Sequence, residues 1–384
     1  MAATAVEHEH RVTPRELFFD LVFVFAFTQV ATLLTDDPTF AGIGRGVLVL
    51  AALWWTWSAY AWLTNTVDPE EEVVGAALLV ALIAMFVAAL VVPDVFEGEG
   101  VLFGASFVVV WAMHTALYAL AGRGSRDLLG AVLRLAPWTL LGATLILVAG
   151  FTGGAREWLW LAALGCAYVG GVLSGSTGWR VHPSHFAERH GLVLIIALGE
   201  AFISIGIGAT GIGIGPGEVV AAILGLLVAT SFWLAYFDFF SIRGEQILHE
   251  REGAERVALA RDLYAYGHFP LIVGIVLFAF AMKTIVGHVG EELDAVGAFA
   301  LCGGSALYLL TYSGIRSRLM RRVSLSRGRF AAAVVLVLIL PLATAIPALA
   351  ALALVTAVWL ALHTYELVWW REARAESRSL LASS

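Results

Sequence analysis

The sequence predicts an all-α polytopic membrane protein of about twelve transmembrane helices, arranged as two six-helix halves related by a parallel repeat. Three observations carry that expectation. First, 60% of the 384 residues are hydrophobic and only 14% are charged, with a mean hydropathy of +0.86. A soluble domain carries roughly 25% charged residues to cover its surface, so much of this exterior faces something other than water. Second, apolar stretches of about 20 residues, the length that crosses a hydrocarbon core of about 30 Å, recur along the whole chain. Third, the arginines collect on alternate connections.

In chain order the apolar stretches are 15–35, 41–64, 73–92, 101–121, 128–150, 157–176, 188–210, 218–241, 262–285, 294–314, 330–348 and 349–370. The first begins at Arg15, after a polar, mixed-charge segment (MAATAVEHEHRVTP) that lacks the apolar centre of a secretory signal. The last two form one apolar run punctuated by Pro347, too long for a single span and therefore expected as a helical hairpin. An even number of spans with the N-terminus inside puts Arg123, Arg126, Arg134, Arg180, Arg189, Arg243, Arg251, Arg256, Arg261, Arg316, Arg318, Arg321, Arg322, Arg327 and Arg329 on the cytoplasmic side. Arg45 and Arg156 alone fall outside, with acids such as Glu97, Glu99, Glu291 and Glu292. Both termini are then cytoplasmic: tail 1–14, first half 15–176, linker 177–187, second half 188–370, tail 371–384.

The repeat rests on three matches in the same order. Glu16 and Glu188 stand at corresponding ends of the first and seventh spans. W-x-A-Y recurs at Trp57–Tyr60 and Trp233–Tyr236, and Ala-Leu-Tyr at Ala116–Tyr118 and Ala306–Tyr308. Six-helix halves keep the same orientation, so the relation would be a rotation about the membrane normal.

Ionisable groups inside a span cost about 2.5–3.5 kcal/mol each on insertion scales, so they are normally paired, wetted or functional. Glu200 is the deepest acid, about twelve residues into its span, with Gly199 and Ala201 beside it to admit a neighbouring helix or a solute. A carboxylate there must find a partner on another span, face water or carry a proton. Asp20 lies one turn after Glu16 on the same helical face, and Asp20 is the expected companion of Glu200 across the halves. Gln29 and His114 are further polar candidates, His114 either as a proton relay or as a neutral ring bonded to a backbone carbonyl. The packing alternative, in which the acids only lock helices together, stands beside each of these.

Some chemistries are weak or absent. His182, His185 and Glu188 have helical spacing for three metal ligands, but Pro183 interrupts the geometry and no H-E-x-x-H is present. Gly206-x-Gly208-x-x-Gly211 lacks the flanking strand of a dinucleotide site. The net charge of −7 excludes a nucleic-acid partner. Cys166 and Cys302 lie in apolar stretches and read as free thiols, and no cofactor motif is found.

The segments RELFFDLVFVFAFTQVATLL and HFAERHGLVLIIALGEAFISIG, which open the two halves, resemble the bacterial low temperature requirement protein A family. Glu16, Phe19, Asp20, His185, Glu188, Arg189, Gly191, Gly199 and Glu200 occupy the motif positions, and His190 stands where an apolar or aromatic residue is expected. The resemblance implies a bacterial inner-membrane protein. The family is named for growth in the cold, a phenotype, so no catalytic residue comes with it. The reading that follows is a transporter or channel-like carrier, not an enzyme, with the bilayer and a small solute or ion as partners; a homo-oligomer is compatible with it. The alternatives are a non-catalytic structural or regulatory membrane protein, and a lipid-modifying enzyme using Glu200, His114 and Asp20 as acid and base.

Overall fold

The computed structural model describes residues 11–210, 213–320 and 327–369, and its regular elements there are all helical. They are α1 (Pro14–Asp36), α2 (Phe40–Thr64), α3 (Glu72–Leu90), α4 (Gly100–Ala121), α5 (Arg126–Gly150), α6 (Arg156–Leu173) and α7 (Pro183–Gly208). There follow α8 (Pro216–His249), α9 (Gly253–Gly287), α10 (Ala295–Leu319), α11 (Arg327–Ala343) and α12 (Ala348–Trp369). Ten are long and apolar enough to cross a membrane. The expected count of about twelve is not reached on that measure: α6 has 18 residues with Arg156 and Glu157 in its first turn, and α11 has 17.

Local chemistry sets the helix starts. Thr13 caps α1 by accepting from Glu16 N, while Glu16 Oε2 accepts from Thr13 N at 2.9 Å, a reciprocal capping box. Pro14, Pro183 and Pro216 occupy the first helical turn of α1, α7 and α8, where a missing N–H costs nothing. α7 therefore starts inside the expected 177–187 linker. The apolar hairpin breaks after Ala343 and resumes at Ala348, close to the boundary expected from Pro347.

α8 and α9 outrun their expected spans, being 34 and 35 residues long. Hydropathy locates the part that suits lipid, whereas Arg243, Glu245 and Glu255 are polar residues that a helix tolerates beyond it. Each contains a π-helical turn, Tyr236–Phe240 in α8 and Arg261–Tyr266 in α9, and α10 has another at Phe299–Gly303.

The bundle is centred on α2 and α9, each with 78% of its most apolar stretch buried, whereas α5 has 33% buried. Outward-facing Ile83, Leu133 and Leu338 give the periphery the apolar surface that lipid requires. Small residues allow close crossings. A methyl on Gly274 of α9 would sit 2.7 Å from Gly304 O of α10, and one on Gly304 would sit 2.9 Å from Gly274 O. Cys302 is buried and Cys166 half-buried, both free.

Candidate functional site

α1 and α7 lie side by side and run in the same direction. Contacts between them rise in step, Glu16 with His185 and Arg189, Asp20 with Arg189, and Thr28 with Glu200, while Val12 N, just before α1, meets Glu188. Along this seam the polar groups form two levels.

The first level is near the N-terminal ends of both helices. Arg189 Nη1 donates to Glu16 Oε1 at 2.6 Å and Nη2 to Asp20 Oδ1 at 2.7 Å. Glu16 and Asp20 are one helical turn apart, so a single planar guanidinium reaches both. His185 Nε2 lies 3.0 Å from Glu16 Oε1, and Arg189 Nη1 also reaches Thr64 Oγ1 on α2 at 3.2 Å. Trp57 Nε1 donates to Asp20 Oδ1 at 2.9 Å, and the Trp57 ring lies 5.7 Å from the guanidinium carbon. Glu16, Asp20 and Arg189 are each 1% exposed. Asp20 Oδ2 and Arg189 Nε are buried without a hydrogen-bond partner.

Asn65 fixes the rest of this level. It follows α2, accepts from His182 N at 2.7 Å through Oδ1, and directs Nδ2 to His185 Nδ1 at 2.9 Å. Both ring nitrogens of His185 are therefore engaged. Glu188 is exposed, and its carboxylate accepts from Val12 N. The weak metal set of His182, His185 and Glu188 is thus not brought together, because His185 turns into the seam while Glu188 turns out of it. Glu16 and Glu188, matched in the sequence, differ in burial, one being buried and the other exposed.

The second level is at Glu200, also 1% exposed. Thr28 Oγ1 donates to its Oε2 at 2.5 Å and Ser204 Oγ to its Oε1 at 2.8 Å. Asp20 is not its direct companion. Thr28 lies eight residues beyond Asp20, about 12 Å along α1 at 1.5 Å per residue. Between the levels, from 21 to 27 on α1 and 192 to 199 on α7, the buried side chains are all apolar, Phe23, Phe27, Val193 and Leu194 among them. Gln29 is half-buried beside Thr28. A methyl on Gly199 would meet nothing within 4 Å, so no helix packs closely against that position.

His114 lies apart from the seam. Its Nε2 is 3.2 Å from Ala59 O, the carbonyl-bonded arrangement, and it lines a cavity of about 80 Å³ with Trp55, Trp62, Trp111, Tyr118 and Trp179. His190 is also packed as an aromatic ring, 4.4 Å from Phe186 and 4.9 Å from Trp57 between centroids, with Nδ1 on Phe186 O. The surroundings of His190 are thus those of an aromatic ring.

The sequence reading missed Arg189 as a site residue by assigning it to the solvated cytoplasmic charges. Four residues separate it from His185, as four separate Glu16 from Asp20, and that matched spacing was the available signal. A second buried arginine was misread in the same way. Arg329 on α11 donates to both oxygens of Glu366 on α12, at 2.6 and 3.0 Å, with its guanidinium 3.9 Å from the Tyr312 ring. Arg321 and Arg322, like the tails 1–10 and 370–384 and Gly211, lie outside the described residues.

Apolar helices sealed around a buried charged seam define a multi-pass α-helical membrane protein. The model of the bacterial low temperature requirement A protein (LtrA) matches residues 11–364. The chain belongs to this family. It is similar to an uncharacterised protein of Rhizobium meliloti (strain 1021), 29% identical over 308 residues, which cover 77% of this chain and 74% of that one. No solved structure matches.

Proposed function

We propose that this chain is a carrier for a small solute or ion, with its polar site where two six-helix halves meet along α1 and α7. On this reading α6 and α11 cross the membrane with the other ten helices, the membrane is the bacterial inner membrane, and both termini are cytoplasmic. The observation that supports it is the burial of Glu16, Asp20 and Arg189 together on one helix–helix seam. Several ionisable groups are costly to place in a membrane, and apolar side chains pack two helices at lower cost. Retaining them on facing helices suits a seam that opens to a solute. The apolar layer between Asp20 and Glu200 supports a carrier over an open channel, because on α1 and α7 only apolar side chains are buried between the two levels.

A second reading, a structural protein whose acids only lock helices, is favoured by the full hydroxyl pairing of Glu200. Neither reading assigns the chain a bond-making step. Proteoliposome flux over a panel of cations, protons and small metabolites separates the two. The carrier reading expects a solute whose uptake exceeds that of empty liposomes and is lost in Arg189→Gln. Wild-type protein without flux across the whole panel contradicts it.

A further inference from the structure

We infer that Asp20 is a proton-binding site and that the closed seam holds one proton there; only the further step, that this proton is the ion coupled to transport, rests on the carrier reading above. The argument starts at Asn65. His182 N donates to Asn65 Oδ1, so the other amide atom is the NH₂ group, which also reaches His182 O at 3.2 Å. That NH₂ can only donate, so His185 Nδ1 accepts and carries no proton. His185 is therefore the neutral tautomer, with Nε2–H donating to Glu16.

The charges then do not balance. Glu16 accepts from Arg189, His185, Thr13 N and Thr13 Oγ1, so both its oxygens are engaged as a carboxylate. Arg189 supplies one positive charge against two acids. Among the described residues, those placed against Asp20 offer no second cation: Glu16 one turn away on α1, Arg189 on α7, and on α2 the neutral Trp57, with Thr64 bonded to Arg189 beside it. His190, beyond Trp57, has Nδ1 on a backbone carbonyl and is packed among aromatic rings. Asp20 Oδ1 takes both donors while Oδ2 is buried with none. A bare anionic oxygen in that position is far costlier than an unpartnered hydroxyl. One proton on Oδ2 leaves Glu16⁻, Arg189⁺ and a neutral acid, and the seam closes neutral. Opening it to water and removing that proton leaves one net negative charge, which resists closure until a proton returns.

The test is infrared spectroscopy of the full chain in lipid nanodiscs at neutral pH. Asp20→Asn keeps the acceptor for Trp57 and Arg189 and imitates the protonated acid, so it should fold. It should lack one carboxylic-acid carbonyl band present in wild type, and titration to high pH should release one proton fewer per chain. Glu16→Gln gives the sharper outcome: with Arg189 released to Asp20 alone, the Asp20 acid band should vanish although Asp20 is present. A Glu200→Gln control assigns any band belonging to that acid. A wild-type spectrum that differs from Asp20→Asn only in ionised carboxylate bands overturns the proposal. So does an Asp20 acid band that survives in Glu16→Gln, or carboxylate bands that respond to sodium against choline. These spectra do not depend on flux, so the proton site and the carrier reading fail separately.

Discussion

Arg189 of α7 meets Asp20 of α1 at 2.7 Å near the N-terminal ends of both helices, and it holds Glu16 at 2.6 Å with the same guanidinium. Removing the cation alone strands the buried Glu16 carboxylate and takes a donor from Asp20. Arg189→Met should therefore destabilise the protein by about 3–5 kcal/mol, read as a fall in melting temperature in detergent. Adding Glu16→Gln and Asp20→Asn to that variant removes the stranded charge and its acidic neighbour and should recover most of the loss. A triple variant no more stable than the single one would show that the seam is held by packing and not by charge.

Glu200 separates function from packing more cleanly, because its partners are neutral. Glu200→Gln keeps size and hydrogen-bonding capacity beside Thr28 and Ser204, so its stability should stay within about 1 kcal/mol of wild type. Glu200→Leu leaves two hydroxyls without their acceptor and should cost about 1–3 kcal/mol. The carrier account expects the Gln variant to lose flux and to fail to support growth in the cold at normal expression. Full activity in the Gln variant would leave Glu200 a packing residue.

The all-helical membrane class was legible in the sequence because span length and hydropathy answer directly to bilayer thickness, and Pro347 marked the final helical break, whereas the count of twelve spans was not reached by length and hydropathy. The site was half legible. Glu16, Asp20 and Glu200 stood out as acids in apolar text, but their pairing depends on which helices are neighbours, and α1 and α7 are far apart in the chain. Arg189 and Arg329 were counted as loop charges because charge segregation records a residue's position along the span and not its direction around the helix. The stretch from Asp20 to Thr28 shows the same limit: both residues face α7, yet a separation of eight residues puts Asp20 out of reach of Glu200.

Arg329 and Glu366 make a second buried pair with two parallel hydrogen bonds. An ammonium cannot reproduce that fork, so Arg329→Lys should lose about 1.5–3 kcal/mol of stability. Glu366→Ala leaves the guanidinium buried against Tyr312 without its carboxylate and should cost about 3–5 kcal/mol. Both are measured by thermal melting. Flux per folded molecule should be unchanged in the Lys variant, since the pair lies on α11 and α12 and not on the α1–α7 seam.

Topology is checked by single cysteines in a background lacking Cys166 and Cys302. Cysteines at Glu97 and Glu292 should react with an impermeant reagent added to intact cells, and those at Ser125 and Glu252 should react only after permeabilisation. The reverse pattern, or labelling of all four from outside, would contradict the proposed crossings.

The central claim is that α1 and α7 move against each other to pass a solute. The most direct measurement is flux after locking them together at the end where Val12 N meets Glu188. Val12→Cys/Glu188→Cys in the same cysteine-free background, joined by a short reducible thiol cross-linker in proteoliposomes, should fall to the flux of empty liposomes and recover on reduction. Unchanged flux in fully cross-linked protein would contradict a moving seam.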